Sequence, residues 1–164
     1  MATNVSRLKH TRIDLAENVK QRMVELLNTH VVHLTDLWNQ TKLAHWNVRG
    51  PHFISYHEML DELAAHLVEA IDNVAERATA LGGIAGLPIQ DLAAQSKLPK
   101  WDLSVTKDVE VLRALADRWA MVANEARKFI EESEEHDSDT ADLFTEVSRQ
   151  LDQDLWFLEA HIEH

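Results

Sequence analysis

The chain has 164 residues, about one ordinary domain, and 45% of them are hydrophobic, enough for a sizeable core. The 16 Lys and Arg against 28 Asp and Glu leave a formal net charge of −12, which excludes a surface built throughout to grip nucleic acid or anionic lipid. Without Cys there are no disulfides, zinc–thiolate sites, iron–sulfur clusters or thiol catalysis. The longest uncharged stretch, Ala78–Gln90, is too short to span a membrane, and the first twelve residues lack the apolar run of a secretory signal. An acidic, single-domain, cytoplasmic protein is expected, unusual for its 10 His and 5 Trp.

Gly and Pro punctuate the chain at two places only: Gly50–Pro51, and the stretch from Gly82 to Pro99. Before the first break, Val19, Met23, Leu27, Leu34, Trp38 and His45 recur on one helical face. Between the breaks, Leu60, Leu63, Leu67, Ile71, Val74, Ala78 and Leu81 form a second stripe, with Gly82 as its natural stop. A third runs through Val105, Val109, Leu112, Leu115, Trp119, Val122 and Ala126, with Ser104 as the expected cap. A fourth runs through Leu143, Val147, Leu151, Leu155, Leu158 and Ile162, after an acidic stretch offering Ser138 and Asp139 as caps. This pattern predicts an all-α four-helix bundle. The connection from Gly82 to about Leu103 is too long for a hairpin, so one long crossover containing a short helix at Ile89–Ala94 is expected, the ferritin-like variant of that architecture.

The second helix carries the chemistry. At about 100° per residue, Glu58, Asp61, Glu62, Glu69, Asp72 and Glu76 share one arc of about 100°, away from the apolar stripe. A solvated acidic face explains such an arc in an arbitrary helix. His57–Asp61 and Asp72–Glu76 are each spaced i,i+4, however, so that each pair reaches one small ion, and imidazole with carboxylate suits iron, manganese or zinc. The pair centres lie about 22 Å apart along the helix, so one ion cannot touch both within a chain. An antiparallel packing of two copies about a two-fold axis near His66 and Leu67 brings one pair of each chain to the other pair of its mate. His45, inward on the first helix just before the Gly50–Pro51 break, either completes this set or is a core histidine.

The run from Lys42 through His45, Trp46 and Asn47 to Gly50, with His57, Asp61, Asp72, Glu76 and Arg77, resembles the signature of the Dps family, the bacterial mini-ferritins. The later stretches Asp139–Leu143 and Leu155–Glu159 are similar to it as well, and the resemblance covers nearly the whole chain from about residue 13. It implies a dodecameric shell in which two ferrous ions bind at each two-fold interface, are oxidised by hydrogen peroxide, and are stored as ferric mineral. His45, His57 and Asp61 would then come from one subunit and Asp72 and Glu76 from its partner. By the same resemblance Trp46 is a nearby electron donor or simply a packed side chain. Glu58, Glu62 and Glu69 line the cavity and nucleate mineral, or form a solvated face. Asp137, Asp139, Asp142 and Glu146 either favour the start of the fourth helix by their charge or line an iron-entry pore.

Family members often bind DNA through basic N-terminal tails. Residues 1–12 are expected to be such a flexible tail, carrying Arg7, Lys9 and Arg12 with no acid before Asp14. Twelve copies would act multivalently. A disordered solubilising terminus is the other reading.

Overall fold

The structure is a computed structural model and describes residues 8–162. It contains five helices: α1 (Glu17–Asn47), α2 (Phe53–Ala80), α3 (Ile89–Gln95), α4 (Asp108–Glu134) and α5 (Ser138–Ala160). Helices α1 and α2 form one hairpin and α4 and α5 the other; α1 packs on α4, α2 on α5, and the short α3 lies against α1. The expected bundle and crossover are both present, and α3 is one residue longer than the Ile89–Ala94 segment.

The apolar stripes meet in one core. Leu60, Leu63, Leu67, Val74, Ala78 and Leu81 of the second stripe are buried, against Met23, Leu27, Leu34, Leu112, Leu115, Trp119, Val147, Leu151 and Leu158. Gly82 ends α2 with φ +89°, a left-handed conformation that disfavours side chains, and a Cβ there would strike the Lys9 carbonyl. Lys9 N–H donates to the Gly82 carbonyl at 2.8 Å, so the expected tail meets the bundle before residue 12; residues 1–7 lie outside the described residues.

Two helix starts differ from expectation. Helix α4 begins at Asp108, capped by the backbone of Lys107 rather than by Ser104. Asp102 accepts hydrogen bonds from the Ser104 N–H and hydroxyl at 2.8 and 2.7 Å, holding Ser104 in a turn ahead of the helix. Helix α5 is preceded by Asp137, not by Ser138 or Asp139, because Asp137 turns inward to the Arg77 guanidinium of α2 at 2.8 Å.

The crossover is held by a polar track along α1. Asn28 bonds the Ile84 carbonyl and the Gly86 N–H, both at 2.9 Å; His33 Nε2 accepts from Lys97 N–H at 3.2 Å; Asp36 takes the Ser96 hydroxyl; Gln40 donates to the Pro99 carbonyl at 3.1 Å. Below it, Glu125 of α4 receives His30 and His33 Nδ1 at 3.0 and 2.8 Å. Burial pushes the Glu125 carboxyl up, but the two histidines outweigh it and hold the group down to about 2. Since its folded value lies below its ordinary 4.5, Glu125 contributes stability that is complete above pH 4.5 and lost as pH falls toward 2. Glu125→Gln is therefore expected to flatten the acid limb of a stability-versus-pH curve measured by urea unfolding, removing about 3 kcal/mol of pH dependence.

Candidate metal centre

The Gly50 turn sets the geometry of the centre. Helix α1 ends at Asn47, leaving the carbonyls of its last turn without helical partners. Gly50 has φ +148°, and a Cβ there would lie 2.5 Å from the Asp108 carboxylate, so this tight return needs glycine. On one side of the turn His57 Nδ1 donates to the His45 carbonyl at 2.9 Å; on the other, His45 Nδ1 donates to the His57 carbonyl at 2.7 Å. The two rings stack with centroids 3.8 Å apart.

This reciprocal pair fixes both tautomers. A carbonyl only accepts, so each Nδ1 carries the hydrogen and each Nε2 keeps its lone pair free for a metal. The His45 Nε2 lies 3.9 Å from Asp61 Oδ1, one turn beyond His57 on α2. Thus His45, His57 and Asp61 are brought to one place, at an open groove that Ile54, Glu58 and Glu62 also line. His45 is buried, His57 half-buried and Asp61 exposed.

Asp72 and Glu76 are not brought to that place. They remain exposed farther along α2, as its length requires. Among the described residues no three His, Asp or Glu side chains gather closely enough to enclose a metal within the single chain. Glu58, Glu62 and Glu69 are exposed on the same helix, and Asp139, Asp142 and Glu146 are exposed on α5.

Asp137 turns inward at the start of α5. It is 6% exposed and bound to Arg77 and to the Thr140 hydroxyl. Burial pushes its carboxyl up, yet these two donors hold it below the usual carboxylate range. Its charge is neutralised inside the protomer and anchors the start of α5 to α2. Trp46 is 62% exposed rather than packed in the core, with Lys42 Nζ 5.7 Å from its ring centroid.

Lys42 had no role in the reading of the sequence beyond its place in the motif. Its Nζ lies 2.5 Å from Asp61 Oδ1, and this hydrogen bond is the chief reason the Asp61 carboxyl sits below its ordinary range, with His45 and His57 adding to it. The spacing of Lys42 one turn before Trp46, beside His45, was the available signal. The exposed hydrophobics Trp46, Phe53, Ile54 and Val68 surround the ligand-bearing part of α2, an apolar rim that a lone protomer leaves in water.

The comparisons with known proteins agree on one family. The profile of the ferritin-like domain matches residues 24–164. The DNA protection during starvation protein of Agrobacterium fabrum is 42% identical over 154 residues, covering 93% of this chain and 95% of that one. This chain belongs to the Dps family of ferritin-like proteins. The DNA protection during starvation protein of Mycolicibacterium smegmatis is 33% identical over 156 residues, covering 91% of this chain and 81% of that protein. Among solved structures, DpsA14 from Streptomyces coelicolor superposes with a TM-score of 0.87 at 35% identity, over 96% of this chain and 94% of that one. The tetragonal form of Mycobacterium smegmatis Dps gives 0.91 at 28% identity, over 96% of each chain.

Because Lys42 competes for the oxygen that a metal would use, Lys42→Met is expected to tighten divalent-ion binding, read by calorimetric Co²⁺ titration. The gain is at most about fivefold, the ceiling for an exposed ion pair.

Proposed function

We propose that this Dps-family chain is a ferroxidase and iron store that oxidises ferrous ions with hydrogen peroxide at sites between subunits. The observation that carries the reading is the reciprocal His45–His57 pair, which leaves two imidazole lone pairs beside the Asp61 carboxylate. Imidazole suits the ferrous ion and carboxylate tolerates both oxidation states, so this half-set binds the substrate before and after electron loss. Asp72 and Glu76 of a partner subunit complete the set in an isologous dimer, as the separation of the pairs on α2 requires. The apolar rim of Trp46, Phe53, Ile54 and Val68 supports a partner on this face. Zinc or manganese suits the same donors.

In the reaction two ferrous ions each give one electron to one peroxide, whose O–O bond breaks. With two waters the products are two ferric oxyhydroxide units and four protons, so no one-electron reduction of peroxide to hydroxyl radical is needed. Twelve subunits form the hollow shell. Glu58, Glu62 and Glu69 face the product side and nucleate mineral, and Asp142 and Glu146 draw ferrous ions toward the entry pores by their charge. Trp46, exposed beside the ligands, is placed to supply an electron when oxidation is incomplete.

Anaerobic loading with ferrous ion followed by peroxide is expected to give rapid ferric absorbance in the native protein. His45→Ala/His57→Ala is expected to slow it to the rate of iron and peroxide alone. Equal rates in both proteins would defeat the reading.

A second reading, DNA compaction, takes support from the names of the relatives, DNA protection during starvation protein. Its basic groups are Arg7, Lys9 and Arg12, on a chain of net charge −12. Any such binding is multivalent and salt-dependent. A gel-shift titration at low and moderate salt checks it: retardation at low salt that vanishes at moderate salt supports tail binding, and none at low salt removes it.

A further inference from the structure

Among the side chains that fasten the crossover to α1, one is an imidazole. His33 is 4% exposed and bonded through both ring nitrogens. Its Nδ1 lies 2.8 Å from the Glu125 carboxylate of α4, and its Nε2 accepts from the Lys97 N–H at 3.2 Å. The second bond settles the state of the ring. A backbone N–H only donates, so Nε2 carries no hydrogen, and the neutral ring keeps its one hydrogen on Nδ1 for Glu125.

A proton arriving at Nε2 is pulled two ways. Glu125 favours the imidazolium, because a charge-assisted bond to a carboxylate is stronger than a neutral one. Lys97 opposes it, because two N–H groups would then face each other in a buried place. The bond from Nδ1 to Glu125 survives protonation, so the partner that must yield is the crossover. His30, which shares Glu125, is not equivalent. It is 0% exposed, edge-on to Phe129 and Phe144, and its Nε2 has no partner among the described residues. A hydrogen there would be a donor shut in between α4 and α5 without an acceptor. The other charged groups near His33 are Asp36, one turn along α1, which takes the Ser96 hydroxyl, and Arg118 of α4, near Asp36. Lys97 is itself exposed, and α3 carries only the exposed Asp91.

We propose that His33 is a proton-operated latch on the crossover: neutral, it holds the Lys97 backbone, and protonated, it keeps Glu125 and lets that backbone go. Protons bind the released form, so release grows as pH falls. Histidine is the side chain that changes charge between about pH 5 and 8, which sets the range. The release is local. Asn28 still holds Ile84 and Gly86, and Gln40 still holds the Pro99 carbonyl, because neither side chain titrates. Helix α3, between these fastenings, buries no residue, so the core stays closed while the segment loosens. The latch needs only an acid surrounding and does not depend on the ferroxidase reading.

The test is amide hydrogen exchange of the assembled protein, resolved to single residues by mass spectrometry and corrected for the intrinsic rate at each pH. Between about pH 7.5 and 5.5, protection of the Lys97 amide is expected to fall, by at most about tenfold per pH unit, the limit for one proton. The Gly86 amide, held by Asn28 in the same crossover, is expected to keep its protection throughout. His33→Gln, whose amide accepts from Lys97 and donates to Glu125 without titrating, is expected to hold Lys97 equally at both ends of the range. His30→Leu is expected to keep the native response. Constant Lys97 protection in the native protein would overturn the proposal, as would a parallel fall at Gly86, which would mean loosening of the whole crossover. A native pH response in His33→Gln, or its loss in His30→Leu, would place the proton elsewhere and overturn it too. Should His33→Gln fail to match the native size-exclusion profile, the native Lys97–Gly86 comparison and His30→Leu still decide.

Discussion

The exchange of hydrogen bonds between His45 and His57 is the constraint on which the rest of this structure turns. Each imidazole satisfies a backbone carbonyl of the other's helix, so the end of α1 and the start of α2 are joined by their own side chains. The same bonds remove any choice of tautomer. A histidine that closes a helix end is ordinarily spent on structure; here its second nitrogen is left over, and two such nitrogens are stacked beside Asp61. The closing of the hairpin thus holds two imidazoles in fixed orientation, each with its Nε2 turned away from the bond it makes.

Beyond that hairpin, the polar groups of the interior follow one plan. The second hairpin supplies acids: Glu125 on α4, Asp154 on α5 and Asp137 at the start of α5. The first hairpin supplies their partners: His30 and His33 on α1, and His66 and Arg77 on α2. Apolar stripes attract without direction and permit sliding by a turn. Each of these pairs has a definite partner and would be left as an uncompensated buried charge after such a slide. Their contribution is to fix register between the two hairpins more than to add stability.

Most of the architecture was legible because it rests on period and punctuation. The stripes from Leu60 to Leu81 and from Leu112 to Ala126 have a helix's spacing, and few glycines and prolines obscure it. The candidate ligands were singled out for a related reason, since His57–Asp61 and Asp72–Glu76 repeat one spacing on one face. What escaped was information carried between segments far apart in the chain. Ser104 is a good helix cap by residue type, but Asp102, two positions earlier, captures it in a turn. Asp137 reads as one of several acids at the start of the fourth helix until Arg77, 60 positions away, is seen to pair with it. His33 and His66 match no local motif because their carboxylates lie on the other hairpin, 92 and 88 positions away.

The crossover is fastened along its whole course. Asn28 grips its beginning at Ile84 and Gly86, His33, Asp36 and Gln40 hold its middle from Ser96 to Pro99, and Arg49 pairs with Thr106 and Asp108 at its end. Between the first two fastenings lies α3, which buries no residue. Severing the backbone there would leave both new ends tethered to α1, each by contacts that do not pass through the break. The segment is thus the natural place to reopen the polypeptide, as in a circular permutant or a grafted insertion, without loosening the turn that bears the histidines.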